Sequence, residues 1–119
     1  MPTNDEAQGF WKDAMTDTSP AHVLIVDGNA ASREHRLAEL TAKGVRVSVA
    51  RTAFEGIVKA SCHVPDVILI DEALPDMDAA ETGRLITTCP VTAHIPVIAL
   101  NAQRGVPLRV MALLRQAAR

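Results

Sequence analysis

An aliphatic strand that ends on an aspartate is the feature that most constrains what this chain can fold into. The run Val67-Ile68-Leu69-Ile70 follows Pro65 and Asp66 and stops at Asp71. Aliphatic residues without polar alternation predict a strand covered on both faces, which is typical of a parallel sheet between layers of helices. A second run, Val23-Leu24-Ile25-Val26, ends in the same way on Asp27. Because ligands of such sheets collect at the carboxyl ends of the strands, the two aspartates predict a small acidic pocket suited to a hard cation or a phosphoryl group.

Strands and helices are predicted to alternate along the rest of the chain. Apolar runs predict strands over 23–27, 45–49, 66–71 and 95–100, and helical periodicity predicts helices over 30–43, 52–62, 79–88 and 108–118. The order β-α-β-α-β-α-β-α predicts right-handed crossovers and a parallel sheet with helices on both faces. The alternation of valines in 45–49 favours a strand near the edge of that sheet.

The inward faces of the first two helices are predicted from their apolar residues. In the first helix these are Leu37 and Leu40, with Ala31 and Ala38 beside them. In the second helix they are Phe54, Ile57 and Val58. Asp78 is expected to cap the third helix.

Composition indicates one domain with an aliphatic core and no general affinity for nucleic acid or membrane. The chain has 119 residues, of which 48% are apolar and 3% aromatic, and its net charge is −2. Cys62 and Cys89 lack the spacing of a zinc or redox motif. With no secretory signal and no apolar stretch of membrane-spanning length, we expect a cytoplasmic protein with reduced thiols.

Residues 1–20 are expected to form a leader, either flexible or loosely docked through Phe10 and Trp11, ahead of a single domain over 21–119.

Several motifs, in order, resemble the receiver domain of two-component response regulators over about residues 21 to 102. Val23-Leu-Ile-Val-Asp27 is similar to the first strand of the family, and Pro65-Asp-Val-Ile-Leu-Ile-Asp71 to the strand that bears its phosphoacceptor. Leu74-Pro-Asp-Met-Asp78 resembles the loop after that strand, and His94-Ile-Pro-Val-Ile-Ala-Leu100 the fourth strand. The resemblance implies a flavodoxin-like, three-layer α/β/α fold.

The resemblance also implies roles for individual residues. Asp71 stands at the position of the carboxylate that attacks a phosphohistidine or a small acyl phosphate. A metal site for Mg²⁺ would comprise Asp27, Asp71 and the backbone carbonyl of Ala73. Asn101 stands where the family has a Thr or Ser that binds the phosphoryl group.

Three departures from the family affect that chemistry. Gly28 replaces the second acid of the metal site, Asn101 replaces the hydroxyl residue, and the phosphate-binding lysine is missing, since the last lysine is Lys59. Loss of a carboxylate ligand is expected to weaken Mg²⁺ binding, with Glu72 or Asp76 as possible substitutes away from the family's position. No cofactor is therefore expected beyond weak Mg²⁺ binding. Arg33 and Arg36 of the first helix are expected to be solvated charges, with a contact surface for a kinase as the alternative.

The carboxyl-terminal part is shorter than the family pattern. About seven residues separate Leu100 from the last helix, where the family has a helix and a strand. Either those two elements are deleted or the chain stops within the fourth helix, and in both cases we expect four strands in the order 2-1-3-4 without a fifth. The fourth strand would then be an apolar edge. We expect a homodimer through this edge and the last helix, with a monomer whose last helix covers the gap as the alternative.

The sequence thus predicts an atypical, degenerate receiver domain that is not an enzyme. It would act in bacterial two-component or phosphorelay signalling through phosphorylation-independent binding to a histidine kinase, a phosphotransferase or another signalling protein. The alternative is a phosphoryl-accepting single-domain response regulator that uses Asp71 with a substitute Mg²⁺ site. A small nucleotide-binding enzyme is disfavoured, because no glycine-rich loop follows the first strand.

Overall fold

Four strands and four helices alternate in the parts of the chain that the structure, a computed structural model, describes: residues 21–72, 74–100 and 108–117. Their bounds lie within two residues of the predicted ones. The elements are β1 (His22–Val26), α1 (Ala30–Ala42), β2 (Arg46–Ala50), α2 (Ala53–His63), β3 (Val67–Asp71), α3 (Ala79–Thr88), β4 (Val97–Leu100) and α4 (Leu108–Ala117). The predictions for the leader, Ala73 and Asn101 fall outside the described residues.

The strands form one parallel sheet in the order β2-β1-β3-β4, as predicted. Ile25 of β1 lies opposite Leu69 of β3, and Leu69 lies opposite Ile98 of β4. Among the described strands, β2 and β4 are therefore the edges and β1 and β3 the centre. The two aspartate-bearing strands are neighbours, so their carboxyl ends meet at the same edge of the sheet.

Each central strand contributes side chains to two separate cores, which explains its unbroken aliphatic run. Val23, Ile25 and Leu69 face the side that also holds Leu40 of α1 and Val110 of α4. The alternate residues face the opposite side, where α2 and α3 pack; they are Leu24, Val26, Ile68 and Ile70, with Ala60 and Ile86 from the helices. The helices thus form layers on both faces of the sheet, and α4 shares its layer with α1.

The predicted inward face of α2 is wrong. Phe54 is 71% exposed and Val58 is 44% exposed, and only Ile57 packs partly against the core. The residues of α2 that are buried are small: Ala53, Gly56 and Ala60. A Cβ atom at Gly56 would lie 2.7 Å from Cγ2 of Val26, so α2 approaches β1 too closely for larger side chains.

The predicted inward face of α1 is correct only in part. Leu40 is fully buried and Leu37 is half-buried, but Ala31 and Ala38 are not part of the buried face. Arg36 is buried in their place. This correction brings a charged side chain to the acidic edge of the sheet.

Side-chain caps fix where the helices begin. Asp78 accepts a hydrogen bond from the backbone N–H of Glu81 at 2.7 Å and caps α3, as predicted. Thr52 and Asn29 cap α2 and α1 in the same way. No helix within the described segments is both long and apolar enough to cross a membrane.

Candidate functional site

The two strand-terminal aspartates meet at a buried arginine. Asp27 follows β1 and is 0% exposed, while Asp71 ends β3 and is 1% exposed. One nitrogen of Arg36, Nη1, donates to Oδ2 of Asp27 at 3.0 Å and to Oδ1 of Asp71 at 3.1 Å. The three side chains form what we call the Arg36 cluster. The acidic pocket predicted from the sequence therefore contains a guanidinium supplied by the chain itself.

The position of Arg36 on α1 explains how it reaches the carboxylates. Arg36 lies one helical turn before Leu40, so both side chains point to the same face of α1. Leu40 packs into the core beneath the helix, and Arg36 extends along that face to the carboxyl edge of the sheet. Its side chain is 1% exposed, so the prediction of a solvated charge was wrong for this residue. The spacing from Leu40 was the sequence signal that could have revealed it.

The Asp27 carboxylate is held by several donors from the start of α1. Its Oδ1 accepts from the backbone N–H of Asn29 at 2.9 Å, and its Oδ2 accepts from the hydroxyl of Ser32 at 2.6 Å as well as from Arg36. Arg33 donates to the backbone carbonyl of Asp27 at 3.0 Å. Charge-assisted hydrogen bonds of this kind are short and directional, so they fix the carboxylate in one orientation.

The atoms around Gly28, which stands where receiver domains have a second acid, leave no room for a side chain at this position. A Cβ atom at Gly28 would lie 2.9 Å from Cδ of Pro75 and 3.3 Å from the backbone oxygen of Arg51. Both distances are shorter than ordinary van der Waals contact. The loop after β3 thus fills the space that an acidic side chain at position 28 would need.

Asp76, one of the two possible substitutes, is engaged elsewhere. Its carboxylate accepts from the backbone N–H groups of Ala53 at 2.8 Å and Phe54 at 3.1 Å. These two hydrogen bonds to the charged form lower the pKa of Asp76 below its usual value. The interaction ties the loop after β3 to the first turn of α2, where an anion is favoured.

The described residues do not fit a bound Mg²⁺ ion. Mg²⁺ needs carboxylate oxygens that are free to coordinate, and both aspartates already share the Arg36 guanidinium. Gly28 offers no ligand, and Asp76 is bound to α2. Within the described segments, no three or more His, Cys, Asp or Glu side chains come together as a set that could hold a metal. Two positions of the implied site, Ala73 and Asn101, lie outside those segments.

A groove of about 540 Å³ runs between α3 and β4. Its floor includes Ile70, Val97 and Ala99, and Gly83 lies on its helical side. Glu72, the other possible substitute ligand, is exposed and lines the same groove. The groove therefore adjoins the edge strand of the described sheet.

Comparison with known proteins identifies the family. The sequence model of the response regulator receiver domain matches residues 23–119. The chain therefore belongs to the response regulator receiver domain family and has the receiver fold of two-component signalling proteins. The resemblance noted in the motifs is confirmed.

Individual relatives agree with this assignment. The chain is 34% identical over 93 residues to the response regulator PleD of Caulobacter vibrioides. This match covers 78% of this chain and 20% of PleD. It is 34% identical over 83 residues to the virulence transcriptional regulatory protein PhoP of Salmonella typhimurium, covering 70% of this chain and 36% of PhoP. The chain thus spans about a third or less of the length of these relatives.

A solved structure supports the same fold. The amino-terminal domain of a response regulator receiver protein from Methanoculleus marisnigri superposes with a TM-score of 0.67 at 28% identity. The match covers 77% of this chain and 75% of that domain. The sheet order and the helical layers described above are therefore those of the receiver fold.

Proposed function

We propose that this receiver domain acts in two-component signalling by binding proteins, without phosphorylation of Asp71. The observation that carries the proposal is the hydrogen bond from the buried Arg36 guanidinium to the Asp71 carboxylate. A carboxylate attacks phosphorus only if one of its oxygens can approach in line with the leaving group. Asp71 is 1% exposed, and Oδ1 is bonded to Arg36, which restricts such an approach.

Electrostatics supports the same proposal. An incoming phosphoryl group is anionic and would meet two carboxylates, so transfer depends on a cation that binds the phosphoryl oxygens. A guanidinium can bind phosphate, but Arg36 is 1% exposed and already shared by both aspartates. Gly28, where the family has a second acid, adds no metal ligand. The cluster therefore favours a static ion network over a phosphoryl acceptor.

For the binding partner, we propose a second copy of this chain that docks at the edge of β4. In the described sheet β4 is an edge strand, and the backbone groups of an edge strand can pair with a neighbouring strand. Natural proteins seldom leave such an edge uncovered. The adjoining groove has an apolar floor of Ile70, Val97 and Ala99. We propose that the dimer in turn binds a further signalling protein, which is a histidine kinase, a phosphotransferase or another protein of the pathway. The cytoplasm is the compartment in which those partners would meet it.

The relatives support a signalling role of this kind. PleD is a response regulator and PhoP is a transcriptional regulatory protein, and the matched region is a minor part of each. We infer that the receiver domain of this chain passes its signal by contact with another domain or protein. A binding function without phosphorylation retains that contact role and dispenses with the chemical switch.

The deciding experiment is intact mass spectrometry after incubation with acetyl phosphate and Mg²⁺. We expect no added phosphoryl group, while a receiver domain known to accept phosphate gains one under the same conditions. Asp71→Asn is the matched control, and circular dichroism verifies that both samples are folded. A phosphoryl group gained by the parent and absent from Asp71→Asn would overturn the proposal. That result would favour the alternative, a phosphoryl-accepting response regulator.

A further inference from the structure

We propose that Arg36 is a built-in replacement for the divalent cation at the acidic edge, and that removing it opens a Mg²⁺ site between Asp27 and Asp71. The inference concerns the same site as the proposed function and rests on it only in part, since it predicts metal binding and not phosphorylation. Its basis is the single guanidinium nitrogen that bridges the two buried carboxylates at 3.0 and 3.1 Å.

The first step of the argument is charge. Two buried carboxylates repel each other and lose their hydration, so at least one cation is needed to keep both ionised in the folded protein. Arg36 supplies that charge on a side chain that is itself 1% exposed. A guanidinium is a planar cation whose N–H donors match the geometry of carboxylates, so it suits a buried position between two of them. The folded chain therefore has no requirement for an added cation at this edge.

The second step is space. Nη1 of Arg36 occupies the point toward which Oδ2 of Asp27 and Oδ1 of Asp71 both turn. A metal ion that used these two oxygens would have to stand where the guanidinium stands. Bound Mg²⁺ keeps several water molecules and commonly uses only one or two carboxylates of the protein. Two carboxylates without Arg36 thus suffice for a hydrated Mg²⁺ ion, even though Gly28 contributes none.

The test is Arg36→Met, which removes the charge and keeps an unbranched side chain of moderate length. Without metal, the variant leaves two buried carboxylates without their guanidinium, so we expect its Tm to fall by more than about 10 °C. At about 10 mM Mg²⁺ we expect the Tm of the variant to recover by at least about 5 °C, because a ligand that binds only the folded state stabilises it. The Tm of the parent should change by less than about 1 °C.

Two control variants separate the guanidinium of Arg36 from general effects of charge. Arg33→Met removes a cation from the same helix, one that bonds only to the backbone oxygen of Asp27 in the described contacts, and should respond to Mg²⁺ like the parent. Asp27→Asn/Asp71→Asn/Arg36→Met removes the whole ion cluster and should fold with no Mg²⁺ response. A direct measurement of Mn²⁺ binding by electron paramagnetic resonance should give a Kd for Arg36→Met that is at least about 10-fold lower than the Kd of the parent.

Three outcomes would overturn the inference. They are a rise in the Tm of the parent with Mg²⁺ equal to that of Arg36→Met, an Arg36→Met variant that binds no Mn²⁺, and an Arg36→Met variant that Mg²⁺ cannot return to the folded state. The phosphorylation test remains separate. A parent that accepts phosphate yet ignores Mg²⁺ would refute the proposed function alone, and a parent that binds Mg²⁺ yet accepts no phosphate would refute this inference alone.

Discussion

At the scale of single residues, Gly28 determines whether a second carboxylate can be restored beside Asp27 at the carboxyl edge of the sheet. We predict that Gly28→Asp, which restores an acid at that position, destabilises the protein by about 1–3 kcal/mol, because its Cβ would lie 2.9 Å from Pro75 and 3.3 Å from the backbone of Arg51. Urea denaturation followed by circular dichroism measures the change in the free energy of unfolding.

The matched control for this prediction is Pro75→Ala, which removes the Cδ atom nearest to position 28. In a double-mutant cycle, Gly28→Asp should be less destabilising in the Pro75→Ala background than in the parent. Equal losses in both backgrounds would show that contact with Pro75 is not the cause.

Of the three residues in the Arg36 cluster, the sequence predicted the two aspartates and missed the arginine. Asp27 and Asp71 were predictable, because an aliphatic run that stops at a carboxylate marks the end of a buried strand. Arg36 was harder to predict, since arginines on helices are mostly exposed and its spacing from Leu40 is only a weak local signal. Its burial depends on two acids that lie 9 and 35 positions away in sequence, which become neighbours only in the folded sheet.

At the scale of secondary-structure elements, two helical glycines have opposite consequences for packing. We predict that Gly56→Ala in α2 destabilises the protein by about 1–3 kcal/mol, because the added Cβ would lie 2.7 Å from Cγ2 and 3.0 Å from Cγ1 of Val26. We predict that Gly83→Ala in α3 is neutral or stabilising by up to about 1 kcal/mol, because alanine has the higher helix propensity. The Cβ atom added at position 83 would lie 3.5 Å from Cγ1 of Val97, which is an ordinary van der Waals distance.

Urea denaturation of the two variants side by side tests this pair, with each serving as the control for the other. Similar losses at both positions would contradict the close approach of α2 to β1. A gain at Gly56 would contradict it as well.

The sequence predicted where the helices and strands begin and end, but not which face of α2 packs against the sheet. Bounds were predictable to within two residues because caps such as Thr52 and Asp78 mark helix starts locally. The inward face of α2 was not, because Phe54 and Val58 are apolar yet exposed, and the face nearest the sheet is made of small residues. A close approach between a helix and a strand selects for small size, and hydrophobic periodicity does not detect it.

At the scale of the whole molecule, the alternation of strands and helices predicted a parallel sheet with right-handed crossovers, and the resemblance to the receiver family predicted the strand order that the structure shows. The layer occupied by α4 did not follow. Val110 and Leu114 join the core on the α1 side through residues far away in sequence. The protein thus has both central strands covered, with β4 as one edge of the described sheet.

That edge permits a test of the proposed homodimer. Ile98 is a poor probe, because it is 9% exposed and belongs to the core on the α1 side. Ala99 is exposed, lies in β4 and lines the adjoining groove, so Ala99→Lys adds a charge at the edge without filling the core. In a two-fold dimer the substitution appears twice across one interface, where the two charges repel.

We therefore predict that the parent sediments as a dimer at micromolar concentration. Ala99→Lys should raise the dissociation constant of the dimer by at least about 10-fold. The Tm of the parent should rise with protein concentration, because association stabilises the folded state by mass action, and the Tm of Ala99→Lys should depend on concentration less. Ala93→Lys, which makes the same substitution at an exposed alanine outside β4, should behave like the parent. A parent that remains monomeric at every concentration, or a dimer that Ala99→Lys leaves intact, would exclude the β4 edge as the interface.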